Sequence, residues 1–230
     1  MNNTRTFPIA ARLHWLEVLT LLSATLTALS ALGIVGGHLF FKPLTMLIAI
    51  VFVAVRARSS GGVTRADLLL EAALVFSLAG DVFLMLPGDY FIPGLASFLV
   101  AHLFYLVLLR QGQRWFPSRR GLVAVAGTGA LIYAWVWPGL GDSVLKAAVA
   151  TYVCVIALMA SQAVGRATVL GTPAARSVAL GTCVFMLSDT LIAINKFVSP
   201  IALAPLWILA TYYAAQMLIV HHVRASDPGP

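Results

Sequence analysis

The chain has 230 residues, of which 60% are hydrophobic and only 10% charged, and its mean hydropathy is +0.94. A soluble domain has about 25% charged residues, so the composition excludes an ordinary soluble protein and specifies one integral membrane domain over residues 1–230. The net charge of +7 does not point to nucleic acid, because the charges fall between apolar spans, the pattern of membrane topology.

A helix needs about 20 apolar residues to cross a bilayer. Eight segments qualify: Leu13–Val35, a short second span at Pro43–Val55, Asp67–Leu86, Phe91–Leu109, Leu122–Trp137, Ser143–Val164, Arg176–Lys196 and Ile201–His221. The first is read as a retained span, since no small-residue cleavage site follows it. Turn residues separate the spans, among them Ser59-Ser60-Gly61-Gly62, Pro87-Gly88-Asp89 and Pro138-Gly139-Leu140-Gly141. The expected class is all-α, a polytopic bundle of eight transmembrane helices, because an open sheet leaves backbone groups unpaired in lipid.

Eight spans place all twelve arginines on one side, in short loops, and leave Lys42, Lys146 and Lys196 toward the other. The positive-inside rule then puts both termini in the cytoplasm, with a bacterial inner (plasma) membrane as the expected location. Cys154 and Cys183 lie in apolar spans with no metal-ligand or disulfide spacing and read as small buried hydrophobes. A weak internal echo relates residues 13–110 to residues 121–222: in each half, the third span carries a lone acid.

Those acids, Asp81 and Asp189, are the candidate catalytic residues. A carboxyl at membrane depth is costly and normally faces a bundle interior or wet cavity. Helical rise puts Asp81 roughly 9 Å and Asp189 roughly 10–16 Å inside the outer ends of their helices. Further candidates for the site are Lys42, His102, Tyr105, Ser188, Asn195, Lys196, Tyr212 and Gln216. Tyr105 follows His102 by about one turn, Gln216 follows Tyr212 at i+4, and Ser77 lies one turn before Asp81, placed to hydrogen-bond it. Against these stand structural readings: interhelical packing for a single Asp, interface anchoring for the tyrosines, and snorkelling for the lysines.

The run Lys42-Pro43-Leu44, then Phe76-Ser77-Leu78-Ala79-Gly80-Asp81, then Phe91 through Tyr105 resembles the YhhN-type lysoplasmalogenase family. So do Gly181-Thr182-Cys183-Val184-Phe185-Met186-Leu187-Ser188-Asp189 and Tyr212-Tyr213-Ala214-Ala215-Gln216. The resemblance implies a multi-pass hydrolase that takes a lysophospholipid from the bilayer and cleaves its vinyl ether bond. The products are a fatty aldehyde and a glycerophospho-ethanolamine or -choline, and no metal or organic cofactor is implied. Asp81 and Asp189 would carry the chemistry.

Two acids suit that reaction. Protonation of the vinyl β carbon gives an oxocarbenium ion, as in glycoside cleavage, and water then adds to the carbon bearing oxygen. One carboxyl has to hold its proton while the other stays ionised, and the sequence does not assign the roles. The alternative class is a small-molecule or proton-coupled membrane transporter using the paired acids. An ester or amide hydrolase is disfavoured, since no nucleophile-elbow motif is present.

Overall fold

Local chemistry starts and stops the helices. In the computed structural model, which describes residues 9–31, 33, 36–60 and 62–224, Thr64 and Asp67 form a reciprocal capping box at the start of α3. Ser118, Asp142 and Thr172 cap α5 (Arg119–Val136), α6 (Ser143–Leu170) and α7 (Pro173–Phe197). Gly171, in the left-handed region at φ 66°, ends α6, and Pro173 opens α7. The helices are α1 (Ile9–Ala31), α2 (His38–Ser59), α3 (Arg65–Met85), α4 (Phe91–Arg110), α5 (Arg119–Val136), α6 (Ser143–Leu170), α7 (Pro173–Phe197) and α8 (Ala204–His222). A short 3-10 turn, Trp137–Gly139, follows α5, and there is no strand among the described residues.

Six helices, α2 to α7, are long and apolar enough to cross a membrane. The apolar run of α1 is shorter, Leu13–Thr27, and α8 carries Tyr212, Tyr213 and Gln216, which lower its hydropathy. Neighbour contacts close a ring in the order α1, α2, α3, α4, α6, α7, α8 and back to α1, while α5 packs outside it against α6 and α7. Side chains crossing the ring therefore meet in its interior.

Contacts between helix ends fix the alternation of direction. Lys42 near the start of α2 meets Asp81 near the end of α3. Arg166 near the end of α6 donates to the carbonyls of Leu109 and Gln111 at the end of α4, and Arg56 near the end of α2 donates to that of Val220 on α8. Arg56, Arg58, Arg65, Arg110, Arg119, Arg120, Arg166, Arg176 and Arg224 thus share one end, and Lys42, Lys146 and Lys196 lie toward the other. Arg5 lies outside the described residues.

Three expectations are corrected. The second span is a full 22-residue helix that starts at His38 and carries Pro43 inside it, one backbone N–H short at that position, and Arg56 and Arg58 extend its other end. Several arginines lie in helices instead of loops. Arg166 is 1% exposed, because its guanidinium serves carbonyls that the end of α4 leaves without intrahelical partners. Cys154 is exposed on the outward face of α6, and Cys183 is half-buried.

Candidate active site

Asp81 and Asp189 both face the ring interior, and each has its own polar cluster. Asp81 Oδ1 accepts from Lys42 Nζ at 2.9 Å, and Oδ2 accepts from the Tyr212 hydroxyl at 2.7 Å. Both carboxylate oxygens are thus engaged, and the residue is 2% exposed. At Asp189 the Tyr152 hydroxyl donates to Oδ2 at 2.5 Å, and His102 Nε2 lies 3.3 Å from the same oxygen. His102 Nε2 is also 2.9 Å from the Tyr152 oxygen, closing a triangle of three side chains.

The two clusters repeat one pattern. Asp81 on α3 is held by α2 and α8, and Asp189 on α7 by α6 and α4. Between them stands Phe185, fully buried, with its ring 4.8 Å from that of His102 and 5.4 Å from that of Tyr212. Phe98 adds a second ring, 6.0 Å from Tyr212 and 6.4 Å from Phe185. The rings of Phe185 and Phe98 thus pack between the two clusters.

Asp189 itself lines a cavity, whereas the Asp81 cluster reaches one through Lys42. An apolar groove between α4, α5, α6 and α7 is lined by Leu95, Phe98, Ile132, Val149, Tyr152, Ile156, Met186 and Asp189, among others. Its outer end adjoins a wider, polar recess of about 370 Å³ lined by Lys42, Asp89, Tyr90, Asn195 and Lys196, and Leu84, Phe91 and Ile192 belong to both walls. The two spaces thus adjoin, the apolar groove below and the recess with its charged side chains above. The Lys196 ammonium sits 4.8 Å over the Phe91 ring at this junction.

Of the remaining sequence candidates, Tyr105 donates to Gln216 Oε1 at 2.6 Å, one turn toward the arginine-bearing end from His102 and Tyr212. Ser188 donates to the Ile208 carbonyl on α8, and Asn195 Oδ1 accepts from the Ile201 N–H, so neither bonds an acid. Ser77 does not hydrogen-bond Asp81; its hydroxyl is buried without a partner. Sequence reasoning missed Tyr152, a lone hydroxyl in an apolar span that reads as packing. Its position on the second span of its half, where Lys42 stands in the other half, is the available signal. Among the described residues no cluster of three or more His, Cys, Asp or Glu side chains forms a metal-ligand set.

Fold and site together define an integral membrane helix bundle with an apolar groove leading to a partly buried acid. The chain belongs to the YhhN family, whose family model matches residues 37–223. It is 36% identical over 160 residues to human lysoplasmalogenase TMEM86A, covering 67% of this chain and 65% of that protein. It is 34% identical over 187 residues to pig lysoplasmalogenase TMEM86B, covering 80% and 74%. Identity is 32% over 159 residues to the lysoplasmalogenase of Mycobacterium tuberculosis, covering 65% and 58%. The chain spans 65% of the length of the TMEM86A proteins it matches. No solved structure gives a significant match.

Proposed function

We propose that this protein hydrolyses the vinyl ether bond of a lysoplasmalogen, releasing a fatty aldehyde and a glycerophospho-alcohol. The observation that carries the reading is Asp189. One of its oxygens is held by Tyr152, with His102 beside it, and the other makes no hydrogen bond among the described residues, on the wall of an apolar groove with a cationic mouth. The matched relatives named lysoplasmalogenase agree with it. A one-chain lipid fits the shape: tail in the groove, phosphate at the recess beside Lys196, and the vinyl ether just below the headgroup.

Asp189 is then the proton donor. Its proton goes to the β carbon, and the positive charge forms on the carbon–oxygen unit. The Asp81 carboxylate, fixed by Lys42 and Tyr212, is the hydrogen-bonding picture of an ionised acid. It stabilises the cation and takes the proton released when water adds to the oxygen-bearing carbon, and that proton returns to Asp189 before the next turnover. The hemiacetal then collapses: its hydroxyl proton passes to the leaving oxygen, and aldehyde and alcohol separate. A positioned acid or base accounts for about 10²–10⁴-fold in rate. The corresponding framing of the two acids supports a four-plus-four organisation of the chain, each half giving one. The arginine-bearing end faces the cytoplasm of a bacterial plasma membrane.

The test is product analysis by mass spectrometry on matched alkenyl, alkyl and acyl lysolipids. Aldehyde from the alkenyl lipid alone is the expected result. Fatty acid from the acyl lipid, or transport of the lipid without any product, contradicts the reading.

A further inference from the structure

A second cleft, between α1, α2 and α8, lies away from the lipid groove. Its walls include Glu17, Thr20, Thr45, Tyr213, Gln216 and His221. At its mouth, toward the arginine-bearing end, His221 Nδ1 and Glu17 Oε1 are 3.4 Å apart, and both side chains are partly exposed. At its head stands Met46, whose sulfur accepts from the Tyr212 hydroxyl at 3.4 Å. That same hydroxyl donates to Asp81. The cleft therefore ends one side chain away from the buried carboxylate.

Inside it are polar atoms that the protein leaves unpaired. The Tyr213 hydroxyl and Gln216 Nε2 are buried without hydrogen-bond partners, and both residues line the cleft. Interior polar groups of this kind are ordinarily satisfied by ordered water. Two of them in one cleft below a buried carboxylate are places that water would fill. The titratable and charged groups facing its mouth are Glu17 from α1, Arg56 from α2, and His221 and His222 from α8. At its head are Lys42 from α2, Asp81 from α3, and Tyr212 and Tyr213 from α8.

We propose that this cleft is a water entry path, reaching Asp81 from the arginine-bearing end while lipid enters from the opposite side. The role rests on the hydrolysis proposed above: a bound lysolipid fills the outer recess and the apolar groove, so the attacking water needs a separate entrance. Arrival beside Asp81 brings it to the carboxylate assigned to take its proton.

Two measurements test the path in lipid nanodiscs, on protein with Cys154→Ser and Cys183→Ser. In the first, a charged methanethiosulfonate probe is applied to Ala49→Cys, in the cleft wall, and to Leu47→Cys, on the outward face of α2. A wet cleft gives labelling of Ala49→Cys about tenfold faster or more, because the charged probe and the thiolate both need water; equal rates overturn the proposal. In the second, a bulky thiol adduct at Ala49→Cys lowers kcat by about tenfold with KM for the lysolipid unchanged, the signature of a blocked second reactant. An unchanged kcat overturns the role in water supply. Labelling needs no turnover, so fast labelling in a protein that releases no aldehyde sustains the water path and refutes the hydrolysis instead.

Discussion

Tyr152 donates to Asp189 Oδ2 at 2.5 Å, which fixes that carboxyl and leaves Oδ1 free to meet a molecule in the groove. The contact joins α6 to α7 across the wall of the apolar groove. It sets the Asp189 rotamer at the place where a proton has to be delivered.

Tyr152→Phe keeps the ring and its packing and removes only the hydroxyl. A misplaced reacting group costs up to about a hundredfold in rate. The expected outcome is a kcat lower by about tenfold to a hundredfold, with KM and thermal unfolding close to those of the parent protein, measured by aldehyde release and by melting in detergent.

Lys42 and Asp81 form a buried pair. Removing one member of such a pair strands the other charge, at a cost of about 3–5 kcal/mol. Lys42→Met is therefore expected to destabilise the bundle by that order. Lys42→Met combined with Asp81→Asn should recover most of the loss, since no unpaired charge is then left inside. Denaturant unfolding in detergent of the two single variants and the double variant checks the coupling.

Much of the fold is legible in the sequence because hydropathy and turn chemistry act locally. Phe91–Leu109 and Ser143 as helix starts and ends follow from the Pro-Gly and Asp-Ser signals beside them, and the arginine asymmetry sorts the ends. What is not legible depends on partners far along the chain. Pro43 and Arg56 look like the limits of a short span, yet Arg56 finds the Val220 carbonyl on α8 and the helix continues past it. Asp81 and Asp189 stand out as costly residues, but nothing local indicates that Phe185 and Phe98 stand between their clusters or that Tyr152 holds one of them. Ser188 and Asn195 lie two turns apart on one stripe of α7, roughly 100° round the helix from Asp189, and bond the Ile208 carbonyl and the Ile201 N–H instead.

Two glycines mark close approaches. A Cβ on Gly80 would lie 2.5 Å from the Phe98 ring, so Gly80→Ala pushes a wall of the groove. A Cβ on Gly139 would collide with the Phe197 carbonyl oxygen, a backbone atom that has no rotamer to escape into. Overpacking costs about 1–3 kcal/mol and occasionally more. Gly139→Ala is expected to lose more stability than Gly80→Ala, and Gly80→Ala to lose more activity; melting curves and aldehyde release separate the two.

Lys196 stands at the mouth, stacked on Phe91. Loss of a contact made equally to bound substrate and transition state raises KM and leaves kcat alone. Lys196→Ala is expected to follow that pattern with a phosphate-bearing lysolipid, and steady-state kinetics on short-chain substrate checks it.

The central claim is that Asp189 delivers the proton. Aldehyde release by purified, folded Asp189→Asn, measured beside the parent protein on an alkenyl lysolipid, addresses it most directly. The predicted result is a fall in kcat of about 10²–10⁴-fold with lipid binding retained. Turnover close to that of the parent protein would contradict it.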